Sequence, residues 1–414
     1  MSSPPVPRLL ILADDLSGAA DCAADFAGRM VTQVILSQVG LEVGASLGAE
    51  VIALDLDSRR LGAQAAAAAH RDVLAMAQVD ELPLYKKIDS TLRGNVASEV
   101  AALQALRGMA LVAPAFPLMG RTTVGGVQHL DGVPVDQTDV WRNERLVGTA
   151  NLLEQLMAQG LRCASLSLDA VRDTEQLPAD LLRHVVAGVQ ALVCDAQTET
   201  DLANIAQASA ALYKRLFWVG SAGLARHLPQ ALGFPPVSAQ LTAPINGPVL
   251  TVVGSMSRHS QVQANYLAEH SDQLRLRVAP ATLCAGPATA EWQSIVDAIE
   301  TAQQQGRHVL VSLQQEHRDP AQAAQLSTAL AQLLQPALLR SGALIATGGE
   351  TARAMLGAAG IRRLDLQGDL APGVVFSRAR WHGRELAIVT KAGGFGQPSS
   401  LFDAWRQLTA TPHP

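Results

Sequence analysis

Leu9-Leu10-Ile11-Leu12-Ala13-Asp14-Asp15-Leu16-Ser17-Gly18-Ala19-Ala20-Asp21 is the stretch that decides the fold class. A short apolar run ends on two carboxylates, and a small-residue segment of helical character follows. A strand that is apolar on both faces belongs to a parallel sheet covered by helices. The unit recurs along the 414 residues. Predicted strands are Leu9–Ala13, Val51–Leu56, Leu84–Ile88, Ala110–Ala113, Ala191–Cys194 and Leu216–Val219 in the first half. In the second half they are Val249–Val253, His308–Leu313, Ala343–Ala346 and Leu386–Val389. The expected fold is α/β in two domains, each with a largely parallel sheet flanked by helices, with the active site in the interdomain cleft. Gly233 to Pro248 contains four prolines and two glycines, the composition of a linker. The expected organisation is a substrate domain over 1–235, a linker over 236–248 and a phosphate-binding domain over 249–414.

Composition narrows the class. The chain is 48% hydrophobic, 4% aromatic and carries a net charge of -5. Mild acidity and few aromatics argue against nucleic acid as a partner. Cys22, Cys163, Cys194 and Cys284 are far apart and lack CxxC spacing, which suits a reducing cytoplasm. The run Leu9–Ala13 is too short for a signal peptide, and no apolar stretch reaches the length of a membrane span. A cytoplasmic protein with no membrane partner is expected. The Ala-rich helices leave room for a homodimer.

Many predicted strands end in polar or glycine-rich tips, where open α/β sheets bind ligands. In the first half, Asp14 and Asp15 follow the first strand. One can take a substrate hydroxyl proton, while the plainer reading of Asp15 or Ser17 is a helix N-cap. Asp21 is expected to face solvent or form a local pair. The run Tyr85-Lys86-Lys87-Ile88-Asp89-Ser90-Thr91-Leu92-Arg93-Gly94-Asn95 gathers cations, an acid, hydroxyls and an amide, the groups that grip a small polyhydroxylated anion. Arg93 can fork onto a carboxylate, Gly94 lets the backbone approach a ligand, and Asp89 is a second possible base. Ser90 or Thr91 can equally be a cap. Pro114-Ala115-Phe116-Pro117 through Arg121 reads as a rigid loop.

The second half carries Gly254-Ser255-Met256-Ser257, Thr347-Gly348-Gly349-Glu350-Thr351 and Lys391-Ala392-Gly393-Gly394-Phe395-Gly396. Such turns can direct backbone amides at a phosphate. Val219-Gly220-Ser221-Ala222-Gly223-Leu224 looks similar, but its simpler reading is tight strand–helix packing. His259 reads as helix surface. There is no GxxxxGK[ST], no GxGxxG after the first strand, no GxSxG and no HExxH. The missing dinucleotide fingerprint weighs against a nicotinamide-dependent dehydrogenase. The acids and glycine turns together weigh against a non-catalytic sugar-acid sensor.

In these motifs, taken in order with Asp195, Asp201 and Leu202, the chain resembles the four-carbon acid sugar kinase family over nearly its whole length. It departs from the usual pattern at Ser17, Glu350 and Ala392, where threonine, aspartate and serine are common. The resemblance implies an N-terminal acid-sugar-binding domain and a C-terminal ATP-binding domain. It implies transfer of phosphate from ATP to the terminal C4 hydroxyl of a sugar acid such as D-threonate, erythronate or an oxo-tetronate. It assigns the sugar acid to Asp14, Ser58, Arg59, Lys87, Asp89, Leu92, Arg93, Gly94 and Asn95. It assigns ATP to Ser255, Ser257, Thr347, Gly348, Gly349, Glu350, Gly393, Gly394, Phe395 and Gly396. Mg²⁺ is expected with the phosphates, and no direct protein ligand for a metal is assigned. Arg93, Lys87 or Arg59 would hold the substrate carboxylate. Asp14 and Asp89 both remain as the base, with preference for Asp14.

Overall fold

The computed structural model describes residues 8–36, 48–76, 82–144, 146–236, 245–255, 257–314 and 322–410. It divides into two compact units, Met1–Ser238 and Ala239–Pro414. Most of the expected linker, residues 237–244, lies outside the described residues.

In the first unit the strands are β1 (Leu9–Ala13), β2 (Thr32–Leu36), β3 (Val51–Asp55), β4 (Leu84–Lys87) and β5 (Met109–Ala113). A small antiparallel sheet follows, made of β6 (Arg121–Val124), β7 (Val127–Leu130) and β8 (Val133–Pro134). Then come β9 (Cys163–Leu166), β10 (Ala191–Cys194) and β11 (Leu216–Gly220). The main sheet has the order β2-β3-β1-β4-β11-β5-β10-β9, and every pairing in it is parallel. Leu10, Leu12, Leu54, Val112, Val193 and Phe217 from its strands pack on Val100 and Leu103 of the helix Val96–Arg107. From β1 the chain visits β2 and β3 on one side, then crosses to β4 on the other. Connections leaving β1, β3 and β4 therefore diverge around a crevice at their carboxyl ends, which places their tips together.

The second unit contains β12 (Val249–Val253), β13 (Leu274–Val278), β14 (Val309–Leu313), β15 (Ala343–Thr347), β16 (Arg363–Ala371), β17 (Val374–Trp381) and β18 (Arg384–Lys391). Their order is β13-β14-β12-β15-β18-β17-β16. The strands from β13 to β18 in that order are parallel, whereas β18, β17 and β16 form an antiparallel meander. The sheet is thus largely parallel, as expected, with an antiparallel edge. Val253, Ile345, Phe376 and Val389 form its core with Leu267, Leu401 and Leu408.

All ten expected strands are present. Those not foreseen are the small hairpin, short β2 and β9, and strands with mixed patterning. In β13, Arg275 and Arg277 interrupt the apolar run, and β16 alternates half-buried and buried positions. Neither resembles the continuous apolar signal used to find the others. Among the described residues, no helix is long and apolar enough to cross a membrane.

Candidate active site

The acidic tips of β1, β3 and β4 converge in the first unit. Pairing continues past the strands, with Leu56 N donating to Ala13 O at 3.0 Å and Arg59 N to Asp14 O at 3.2 Å. That continuation carries Arg59 to Asp14. Its Nε and Nη2 reach the two Asp14 oxygens at 2.7 and 2.9 Å, and Nη2 also reaches Asp15 Oδ1 at 2.7 Å. Asp15 is the N-cap of the helix Leu16–Ala24, accepting from Gly18 N at 3.0 Å. The capping reading of Asp15 therefore holds, and Asp14 is the carboxylate that no cap requires.

Asp89 organises the turn after β4. Its Oδ1 accepts from Thr91 N at 2.9 Å and from the Thr91 hydroxyl. Its Oδ2 meets Arg93 Nη2 at 2.5 Å and lies 3.9 Å from Arg59. Arg93 also approaches Glu144 at 3.7 Å. Burial by itself would raise both Asp14 and Asp89. Arg59 outweighs it at Asp14, helped by Lys86 and Lys87, and holds that carboxyl below its usual range. Arg93, Arg59 and the Thr91 hydroxyl outweigh it at Asp89, which lies well below that range.

Leu92 is buried in a left-handed conformation (φ 61°), and Gly94 follows at φ 91°. A Cβ on Gly94 would sit 3.0 Å from Asp14 Oδ2 and 3.5 Å from Arg59 Cγ. The missing side chain therefore keeps Asp14 approachable. Lys87 is buried, and Nζ donates to Ile88 O at 2.9 Å, with no carboxylate in ion-pair contact among the described residues. Asp21 is also buried, so of its two expected readings the solvent-facing one does not hold, and burial lifts its carboxyl to about 6 against the opposing charge of Lys87.

Ser58 and Asn95 are committed within the protein. The Asn95 side-chain amide donates to Ser58 O at 3.1 Å and Leu61 O at 2.8 Å. Ser58 is fully buried and donates its hydroxyl to Glu99 Oε1 at 2.6 Å. The other Glu99 oxygen pairs with buried Lys86 at 2.8 Å, and His70 Nε2 lies 3.8 Å away. Burial first, then Lys86, pulls His70 down to about 4, so the ring is neutral near pH 7. This layer fixes the segment carrying Arg59. Sequence reading missed Glu99 because it looks like any acid in the first turn of a helix. Its neighbour Lys86 could have been distinguished by strand alternation: Lys86 and Lys87 point to opposite faces.

Two further motif positions are structural. Asp195 accepts from Gly125 N at 2.7 Å and Gly126 N at 2.9 Å, holding the β6–β7 turn. A Cβ on Gly223 would lie 2.3 Å from Ala115 O, so that glycine serves close packing, as the simpler reading expects.

In the second unit, the glycine turns after β12, β15 and β18 meet. A Cβ on Gly254 would fall 2.1 Å from Thr351 Oγ1; one on Gly393 would fall 2.5 Å from Ser255 Oγ; one on Gly348 would fall 3.3 Å from Ser255 Cβ. Ser257 caps the helix Arg258–Glu269, accepting from Ser260 N and donating to Gly393 O at 2.7 Å. Ser260 also donates to Gly393 O, at 2.8 Å, and lies 3.4 Å from the buried Thr347 hydroxyl. Gln263 Nε2 holds Phe395 O at 3.0 Å and Gln397 O at 2.9 Å. Lys391 Nζ holds Ala392 O at 2.7 Å and Phe395 O at 2.8 Å. The Phe395 ring packs on Gly373, while Gly349 and Glu350 open the helix Gly349–Ala358. With these carbonyls tied inward, the Gly393, Gly394 and Gly396 amides have no acceptor among the described residues. Donors arranged this way fit an anion such as a nucleotide's phosphates. His259 is exposed, as expected.

Known proteins resemble the chain along both units. Residues 9–228 match a family described as a sugar-binding N-terminal domain. Residues 250–401 match one described as a nucleotide-binding C-terminal domain. A D-threonate kinase of Cupriavidus necator is 46% identical, covering 98% of this chain and 99% of its own length. One from Salmonella typhimurium is 32% identical, over 96% of this chain and 97% of its own. A crystal structure from Salmonella typhimurium, described as a candidate tRNA synthase, superposes with TM-score 0.78 at 22% identity. It covers 98% of this chain and all of that one, and it attests the fold. The chain belongs to the family of four-carbon acid sugar kinases, phosphotransferases that act on an alcohol group.

Proposed function

We propose that the protein transfers the γ-phosphoryl group of ATP to the C4 hydroxyl of D-threonate, with Mg²⁺ as the accompanying cation. The observation that carries this reading is likeness to D-threonate kinases along both units. In this reading the first unit is the acid-sugar domain, the second is the ATP domain, and the linker between them spans 236–248. When bound, Mg²⁺ and ATP supply charge neutralisation and the transferable group. The protein's residues then position the acceptor and move one proton.

Asp14 is the base in this proposal. It is ionised, and the space left by Gly94 leads to its Oδ2. Both Asp14 oxygens take the single Arg59 fork, whereas Asp89 is less suited because its oxygens hold the Thr91 amide, the Thr91 hydroxyl and Arg93, which fixes it in the turn. Arg59 and Arg93 have carboxylate partners already, so Lys87 is the cation best able to take the substrate carboxylate, with half-buried Arg93 as the second donor. Ser58, Leu92 and Asn95 shape the pocket through the backbone. In the second unit, Ser255, Ser257, the Thr347–Glu350 turn and the Gly393–Gly396 turn receive the phosphates.

The test is ATP consumption with Mg²⁺ over a panel of D-threonate, D-erythronate and 3-oxo-tetronates, with the product phosphate located by phosphorus NMR. Highest kcat/KM on D-threonate with a C4-phosphate product is expected. No turnover of any tetronate overturns the reading; preference for another member corrects the substrate.

A further inference from the structure

Lys391 ends β18 and is fully buried. Its ammonium spans the following turn, bonding Ala392 O at 2.7 Å and Phe395 O at 2.8 Å. Among the described residues no carboxylate pairs with it. Its cross-strand neighbours are Thr347 on β15 and Val374 on β17. Gln263 of the helix Arg258–Glu269 shares the Phe395 carbonyl, and Ser260 of the same helix holds Gly393 O. None of these carries charge. A buried cation without a counter-ion is costly unless something else meets it. It is placed in the turn whose glycine amides also lack acceptors among the described residues.

Resting on the reading that the second unit binds ATP, we infer that Lys391 is a positioning residue for the nucleotide. It locks the Ala392–Gly396 turn with its amides outward and supplies positive charge that the phosphates balance. Burial draws the free ammonium down to about 7, so much of it is neutral at mildly alkaline pH. An arriving polyanion favours the protonated form, and nucleotide binding therefore takes up a proton. Affinity falls as pH rises above about 7, because the free protein must then be protonated to bind.

The probe is ADP, titrated calorimetrically at about pH 8 in buffers of different ionisation enthalpy, where the phosphates are already ionised. The wild type is expected to take up a fraction of a proton approaching one. Lys391→Met should abolish the uptake and weaken ADP by about 10-fold or more, the worth of charged hydrogen bonds. It should raise the KM for ATP while leaving the KM for D-threonate near its wild-type value. Lys391→Arg keeps the charge but does not titrate, so it should bind ADP without proton uptake. That variant and the wild-type calorimetry decide the matter even if Lys391→Met fails to fold. Absence of uptake in a wild type that phosphorylates D-threonate overturns this inference alone, as does unchanged ADP affinity in folded Lys391→Met. A wild type that binds no nucleotide overturns the proposed function and takes the inference with it.

Discussion

At the strand tips of the first unit, Arg59 and Arg93 are shared among Asp14, Asp15, Asp89 and Glu144. At those of the second, serine hydroxyls, a glutamine amide and one lysine hold the carbonyls of a glycine turn. The two β4 and β18 lysines sharpen the contrast. Lys87 and Lys391 each end a strand, lie buried and bond the carbonyl of the next residue, at 2.9 and 2.7 Å. Lys87 sits in a field of carboxylates, whereas burial acts alone on Lys391. Charged side chains at fixed spacing can discriminate hydroxyl and carboxylate positions, which a small chiral acid demands. Backbone amides grip phosphate, a group common to every nucleotide, without needing particular side chains.

If that contrast is right, single carboxylates in the first unit carry the chemistry. Asp14→Asn should lower kcat by about 10²–10⁴-fold, with ADP affinity unchanged. Asp89→Asn should mainly raise the KM for the acid, since it frees Arg93 and loosens the turn. Equal kcat losses in both variants, with unchanged KM, would return Asp89 to candidacy. Glu99→Gln tests the layer below. It leaves Lys86 buried without its counter-charge and should destabilise the protein by about 3–5 kcal/mol in urea unfolding. Retained stability would mean that Lys86 does not depend on the Glu99 charge in the native state.

The same contrast explains what could be read before folding. The β1, β3 and β4 tips are legible because each ends a continuous apolar run on a charged group, and such a boundary has few uses in a packed interior. The glycine turns are legible for a related reason: adjacent glycines after a strand mark close backbone approach. How each carboxylate is committed was not legible. Asp14 and Asp89 both follow a strand, and only the folded geometry shows Asp14 forked by Arg59 and Asp89 wrapped by Thr91 and Arg93. Glu99 and His70 were invisible because helix acids and histidines usually face water, and their burial depends on three elements distant in sequence meeting Lys86.

Glycine substitutions can separate the two sites. Gly94→Ala puts a methyl 3.0 Å from Asp14 Oδ2 at a backbone angle of 91°, and should raise the KM for the acid by about 10–100-fold. Gly393→Ala puts one 2.5 Å from Ser255 Oγ and should raise the KM for ATP by a similar factor, about 10–100-fold. Steady-state kinetics with each substrate varied in turn checks both. If either variant moves the opposite KM equally, the sites are not chemically separate.

Asp21 gives the smallest effect and the most direct probe of the field around Lys87. Burial raises its carboxyl to about 6, with Asp25 and Asp15 adding repulsion and with Lys87 and Arg226 opposing. The unfolded value is about 4, so between about pH 4 and pH 6 the native state binds more protons than the unfolded chain. Stability from this group therefore falls as pH rises through that window, and the deficit persists above it. Asp14 and Asp89 act in the opposite sense, because their lowered values favour the native state above the ordinary carboxylate range and that stability is lost in acid. Asp21→Asn removes the ionisation and should stabilise the protein by about 1–3 kcal/mol near neutral pH, and by much less near pH 4. Urea midpoints at both pH values measure the difference. A destabilised variant with a raised KM for the acid would show that Lys87 depends on Asp21 as its counter-ion. Of the two strand-end lysines, Lys87 would then already be neutralised by the first unit, and Lys391 would be the one without a carboxylate among the described residues.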